Sequence, residues 1–148
     1  MSKKKSEQKH QARVVAMQAL FQWQTNPVEL SDLLEQYLIE RDLVDNPTFN
    51  SAFFTELLEG CITNIQHIDE QLTPLLDRPL QDLTMVELSV LRLAAYELEF
   101  MLATPYKVVI NEAILLSKGF GADGGHGFIN AVLDKLAQQL RGPEAAKS

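Results

Sequence analysis

Residues 105–121 read PYKVVINEAILLSKGFG, and residues 126–137 read HGFINAVLDKLA. In both stretches apolar residues recur at helical spacing, while polar residues occupy the remaining positions. The glycine-rich segment that joins them, GFGADGGHG, favours a turn at a helix end because glycine readily adopts positive φ angles. The sequence therefore predicts two amphipathic helices that form a helical hairpin and contribute to a core.

Helical periodicity also covers most of the chain ahead of this hairpin. Residues 12–24, ARVVAMQALFQWQ, form an amphipathic first helix that we expect to start near Lys9. Residues 86–98, VELSVLRLAAYEL, are apolar around most of the helix circumference, so this helix is expected to be central. Thr84 precedes it with Glu87 three residues later, which is the pattern of a capping box.

Two Asn-Pro pairs mark breaks between helices in the first half of the chain. Asn26 can cap a second helix, because Pro27 suits the first helical position and Glu29 stands where a capping-box partner would. Asn46-Pro47 marks the next break. The sequence shows no strand-like alternation and no internal repeat. It therefore predicts an all-α fold of about seven helices.

The amino-acid sequence of these stretches resembles the NusB family of bacterial transcription antitermination factors. PYKVVINEAI, KGFG and VLDKLA resemble its C-terminal half, residues 86–98 its central helix, and residues 12–24 its first helix. The resemblance covers nearly the whole chain in order. It implies two three-helix bundles packed together and a role in RNA binding.

A chain of 148 residues supports one domain or two small subdomains that share a core. We expect residues 1–8 to form a flexible basic arm, residues 9–142 a single helical domain, and residues 143–148 a flexible tail. The one cysteine, Cys61, excludes an internal disulfide and is expected to be a small buried hydrophobe. No apolar run approaches the ~20 residues of a membrane span, so the expected location is the cytoplasm.

The charge of the chain is divided unevenly between its start and the remainder. Residues 1–13 contain five basic residues and one acidic residue, a net charge of +4. The remaining residues contain eight basic and nineteen acidic residues, a net charge of −11. Such a distribution concentrates attraction for phosphate at one end of the protein. A solubilising tail without function is the alternative, since short lysine-rich termini are common.

No motif in the sequence indicates catalysis. His10, His67 and His126 lie far apart, and none has a metal-ligand spacing such as HExxH. The glycine-rich segment follows a helix rather than a strand and lacks the Lys-Ser or Lys-Thr ending of a phosphate-binding loop. The sequence therefore predicts a protein that is not an enzyme and that requires neither a cofactor nor a metal.

The candidate RNA-binding residues lie mainly on the first helix. Lys9, His10 and Arg13 fall within about one helical turn of each other, and Phe21 follows about two turns after Arg13. Cations meet phosphates and aromatic rings stack on bases in single-stranded RNA recognition. The resemblance implies an exposed aromatic at Phe21 that contacts boxA RNA, whereas core packing is the structural alternative for this residue.

The resemblance also implies that the start of the last helix lies near the RNA surface. The two residues are His126 and Phe128. The structural alternative is a helix-capping role for His126 and core packing for Phe128. This region departs from the family pattern, since Gly127 stands where a lysine is common. The early arginine cluster of the family is represented by lysines, with Arg13 the one arginine kept. Lysine neutralises phosphate but lacks the planar bidentate fork, so the RNA surface is less strongly specified than the fold.

The resemblance implies partners as well as RNA. It implies binding of the boxA segment of nascent RNA together with NusE, a small-subunit ribosomal protein, in the RNA polymerase elongation complex on ribosomal RNA operons. Glu87 and Arg92 on the central helix are candidates for the protein partner. Alternatively, Glu87 completes the capping box and Arg92 pairs with a neighbouring carboxylate. The sequence leaves open whether the chain is a monomer or a homodimer.

Two other functions are compatible with the same fold. One is the helical accessory domain found ahead of some ribosomal RNA cytosine methyltransferases, although the sequence ends at Ser148 without a methyltransferase domain. The other is a helical protein-binding adaptor with no RNA role.

Overall fold

A computed structural model describes residues 3–120 and 125–146 of the protein. Within these residues the chain forms eight α-helices and two short 3-10 helices, with no β-strand, which confirms the predicted all-α fold. The α-helices are α1 Lys3–Thr25, α2 Leu30–Leu38, α3 Ser51–Thr63, α4 Ile65–Leu72, α5 Met85–Phe100, α6 Tyr106–Gly119, α7 Gly125–Leu140 and α8 Gly142–Ala146. The 3-10 helices, Thr73–Leu75 and Leu80–Asp82, lie between α4 and α5. None of the described helices combines the length and apolar character that a membrane crossing requires.

Helices α1, α2 and α3 form the first of two compact units, which extends to Thr63. Helix α1 packs against α3, and α2 contacts both of them. The apolar stripes predicted from the sequence meet in a core whose largest fully buried side chains are Met17, Leu20, Leu33, Phe54, Leu57 and Leu58. Cys61 is also buried, as predicted for a small hydrophobic residue.

Helix α1 begins at Lys3, six residues before the predicted start at Lys9. Lysine, glutamate and glutamine have high helix propensity, so the helix continues through this segment without apolar periodicity. Gln8 also holds the segment against the loop before α3. Its Nε2 donates a hydrogen bond to the Pro47 carbonyl at 2.7 Å, and its own carbonyl accepts one from the Asn50 N–H at 3.2 Å.

Asn26 does not cap α2, contrary to the prediction. Its N–H donates to the Gln22 carbonyl at 2.8 Å, so Asn26 completes the last turn of α1. Helix α2 starts only at Leu30, with Glu29 in the cap position and no side-chain capping bond. The Asn-Pro pair thus ends one helix without starting the next.

Helices α4 to α8 form the second compact unit, from Asn64 onward. Helix α5 packs against α4, α6 and α7, which confirms its predicted central position. The predicted capping box at its start is also confirmed. The Oγ1 of Thr84 accepts a hydrogen bond from the Glu87 N–H at 3.1 Å, and a carboxylate oxygen of Glu87 accepts one from the Thr84 N–H at 3.0 Å.

Arg141, which directly follows α7, links three parts of the second unit. Its Nε donates a hydrogen bond to the Leu98 carbonyl at 2.7 Å. Its Nη1 donates to the Thr104 carbonyl at 3.0 Å and to the Glu144 carboxylate at 2.9 Å. The last carbonyls of a helix have no partner within that helix, so the buried guanidinium satisfies one at the end of α5.

Glu144 lies in α8, a helix that occupies much of the segment predicted to be a flexible tail. Its carboxylate accepts a hydrogen bond from the N–H of Tyr106, the first residue of α6, at 3.0 Å. This bond and the one from Arg141 hold the pKa of Glu144 below its ordinary value of 4.5. The carboxylate therefore joins the start of α6 to the end of α7.

Replacing Glu144 by glutamine should make the stability of the protein less dependent on pH. Because the pKa of Glu144 is lowered in the folded state, its carboxylate contributes stability above pH 4.5, and this contribution is lost as the pH falls through the folded-state pKa. We expect Glu144→Gln to unfold at lower urea concentration than the wild type at about pH 7, and the difference to disappear at about pH 2. Glu70→Gln, at an exposed position of α4, controls for the loss of a negative charge. A difference in unfolding urea concentration between the wild type and Glu144→Gln that stayed constant with pH would contradict this role of the Glu144 carboxylate.

Candidate nucleic-acid interface

The four candidate residues of the first helix all lie on α1, in the first unit. Lys9 and His10 are half-buried, and Lys3, Lys4 and Lys5 nearby are exposed. Helix α1 therefore presents a basic surface over its first three turns.

Arg13 differs from these cations because only 4% of its surface is exposed. Its guanidinium carbon lies 4.8 Å from the ring centroid of Phe53 on α3, and the Nζ of Lys9 lies 5.4 Å from the same centroid. Both distances are within the range of a cation–π interaction. Phe53 thus fixes the positions of two candidate RNA-binding cations. The sequence alone does not reveal this contact, since nothing local pairs Phe53 with α1.

Phe21 is 36% exposed and lies outside the buried core. Core packing, the structural alternative for this residue, is therefore not what the structure shows. An exposed ring offers a face on which a base can stack. Contact with RNA remains a prediction for Phe21, as it does for Lys9, His10 and Arg13.

His126 and Phe128 lie in the first turn of α7, in the second unit. His126 is exposed, and Phe128 is half-buried. Gly119 and Gly127 lie within helices and do not adopt positive φ angles, contrary to the expectation for the glycine-rich segment. Residues 121–124 of that segment lie outside the described residues.

Arg78, from the connection between the two 3-10 helices, lies over the ring of Phe128. Its guanidinium carbon is 4.3 Å from the ring centroid, which is within the range of a cation–π interaction. The Oδ1 of Asp77 accepts a hydrogen bond from the Arg78 Nε at 2.8 Å. This bond lowers the pKa of Asp77 and raises the pKa of Arg78, so both groups keep their charges. Sequence reasoning did not include Arg78, because it lies fifty residues before Phe128 in the chain.

Glu87 and Arg92, the candidates for a protein partner, both take part in bonds within the second unit. Glu87 is buried and completes the capping box with Thr84. Arg92 forms a bidentate pair with Asp69 of α4, in which Nε lies 2.9 Å from Oδ1 and Nη2 lies 2.8 Å from Oδ2. Both structural alternatives stated for these residues are therefore realised. Contact with a partner remains a prediction for each.

The structure thus brings the candidate residues together in two groups, one in each unit. Lys9, His10, Arg13 and Phe21 share α1, while His126 and Phe128 share the start of α7. Among the residues that the structure describes, no three His, Cys, Asp or Glu side chains are grouped to hold a metal ion. The cations of the first group can neutralise phosphates, and the ring of Phe21 can stack on a base.

Comparison with known proteins places the chain in one family. A model of the NusB family matches residues 10–138. The transcription antitermination protein NusB of Shewanella amazonensis is 46% identical over 132 residues, which cover 89% of this chain and 96% of that protein. The protein of the same name from Pseudomonas entomophila is 46% identical over 140 residues, covering 95% of this chain and 82% of that protein.

Solved structures of NusB proteins have the same fold. T. maritima NusB matches with a TM-score of 0.80 at 29% identity, covering 95% of this chain and 97% of that one. A NusB crystallised with NusE and double-stranded RNA matches with a TM-score of 0.79 at 22% identity, covering 94% of this chain and 99% of that one. The relatives carry the name transcription antitermination protein, which agrees with the prediction that this protein is not an enzyme. Since the family match spans most of the sequence and the relatives align over nearly all of it, the chain belongs to the NusB family of transcription antitermination proteins.

Proposed function

We propose that the protein binds the boxA segment of nascent ribosomal RNA together with NusE, as part of the RNA polymerase elongation complex in the cytoplasm. Membership in the NusB family carries this proposal. A structurally similar NusB has been crystallised with NusE and RNA, which supports the choice of partners. Recognition of this kind needs charge, stacking and hydrogen bonds, but no covalent step, cofactor or metal.

The basic surface of α1 is the proposed site for the RNA backbone. Lys9 and His10 supply cationic or polar contacts, and the exposed lysines before them extend the surface toward the helix start. Arg13 is buried against Phe53, so we propose that it adds positive potential beneath the surface and keeps Phe53 and Lys9 in place. Phe21 is proposed to stack on a base two helical turns further along α1.

The start of α7 is the proposed second RNA contact, through His126 and Phe128. We retain Glu87 and Arg92 as candidate positions for the NusE contact. Because both already form bonds within the unit, their contribution is to fix the shape and charge of the surface that NusE meets. RNA that is held by two proteins at once is bound more tightly than by either alone, since the second contact is effectively intramolecular.

The function is tested by titrating boxA RNA and a base-scrambled RNA of equal length with the purified protein. We expect a preference for boxA that increases when NusE is added, because both proteins then hold the same RNA. Binding can be followed by fluorescence anisotropy of labelled RNA at fixed salt concentration. Equal affinities for the two RNAs, with and without NusE, would overturn the proposal in favour of an adaptor without an RNA role.

Removing one cation from the surface of α1 should weaken binding by a predictable amount. Lys9→Ala should lower affinity for boxA by roughly three- to tenfold at about 0.1 M salt, and reduce the slope of log K against log salt concentration by about one. Lys107→Ala, at an exposed position of α6, makes the same charge change in the other unit and serves as the control. If both variants kept the wild-type slope, the basic start of α1 would have no part in RNA binding.

A lysine at position 127 should strengthen RNA binding if the start of α7 contacts RNA. A Cβ atom at Gly127 would meet no heavy atom within 4 Å, so a side chain fits there. Gly127→Lys adds a cation beside the proposed contact and should raise affinity and the salt slope. Gly127→Ala is the matched control. It should stabilise the helix by about 0.5–1 kcal/mol, because alanine loses less conformational freedom on folding than glycine, and it adds no charge. Equal gains in affinity for both variants would show that helix stability, not charge, is responsible.

A further inference from the structure

We propose that Arg78 is a further RNA-contacting residue, whose guanidinium plane stacks between the ring of Phe128 and an unpaired base. This inference rests on the proposed function and adds a specific residue and a specific mode of contact to it. Neither the sequence patterns nor the family resemblance indicated Arg78.

The contact with Phe128 places the guanidinium of Arg78 over the ring. The guanidinium carbon lies 4.3 Å from the ring centroid, so the ring supports the guanidinium from one side. The Arg78 side chain is nevertheless 40% exposed, which leaves surface available to a ligand. Guanidinium planes and aromatic rings are both surfaces on which the bases of single-stranded RNA stack. The two stacked groups therefore form a platform of the required kind.

Asp77 makes this platform better suited to a base than to a phosphate. Its carboxylate holds the Arg78 Nε at 2.8 Å and is 70% exposed, so it repels an approaching phosphate group. Asp82 and Glu87 also act on Arg78 electrostatically. A cation surrounded by three carboxylates attracts a phosphate only weakly, whereas stacking on a neutral base does not require a net positive charge.

The chemistry of arginine distinguishes this contact from simple charge neutralisation. A lysine at position 78 would keep the charge but lack the planar surface on which a base stacks. Arg78→Lys and Arg78→Ala should therefore both weaken boxA binding by roughly five- to tenfold, which is the lower end of the range for one stacked base. Neither variant should change the salt slope, because no phosphate contact is lost.

The experiment uses the full-length protein and boxA RNAs that carry 2-aminopurine in place of single adenines. Wild-type protein should change the fluorescence of at least one substituted position, and both Arg78 variants should abolish the change at that position. Phe128→Leu, which removes the supporting ring but keeps an apolar side chain, should have the same effect. Thermal unfolding of each variant checks that the fold is retained.

Two results would overturn the inference. One is an Arg78→Lys variant that binds and changes fluorescence as the wild type does, which would indicate a charge effect alone. The other is an Arg78→Ala variant whose salt slope falls by about one, which would indicate a phosphate contact. Failure of the proposed function is distinguishable, since the wild-type protein would then not prefer boxA over the scrambled RNA at all.

Discussion

The arrangement of helices in the second unit depends on the buried guanidinium of Arg141. It is 5% exposed and donates hydrogen bonds to carbonyls at the end of α5 and in the connection that follows, and to the carboxylate of Glu144. Without it these carbonyls would be buried without partners, at a cost of about 1–3 kcal/mol each. The end of α5, the start of α6 and the end of α7 are thereby held in one arrangement. The hairpin of α6 and α7, which presents His126 and Phe128, is part of that arrangement.

Local sequence signals predicted the features of the fold that depend on neighbouring residues. The capping box of Thr84 and Glu87 lies within four residues, and the structure contains it as predicted. The central position of α5 followed from its apolar circumference. Arg141 could not be found in this way, because its carbonyl partners lie 37 to 44 residues earlier in the chain. Asn26 is a different case, since the prediction that failed there was local: its N–H is bonded to the Gln22 carbonyl in the last turn of α1, and α2 starts only at Leu30.

The candidate site was predicted less completely than the fold. The sequence identified the charges on α1 but not their burial, which depends on Phe53 in another helix. The sequence left two interpretations of Phe21 open, core packing and an exposed ring. Tertiary packing, which the sequence does not show, leaves the ring exposed. For Glu87 and Arg92 the alternatives were not exclusive, since a residue that stabilises a helix can also lie at an interface. If the proposed NusE contact is made here, variants at these two positions change stability and binding together, so stability must be measured before a loss of binding is interpreted.

The early start of α1 has a consequence for the proposed RNA contact. Lys3, Lys4 and Lys5 stand at the positive end of the helix macrodipole, and the first turn contains no acidic residue to offset them. Each such charge opposes the dipole by about 0.3–1 kcal/mol, so the first turns of α1 are electrostatically the least favoured part of that helix. A phosphate that approached this end would reverse the sign of the interaction, because its negative charge is attracted both to the lysines and to the positive end of the helix dipole. If the proposed RNA contact is made here, formation of the helix start and capture of the RNA backbone are linked equilibria, each favouring the other.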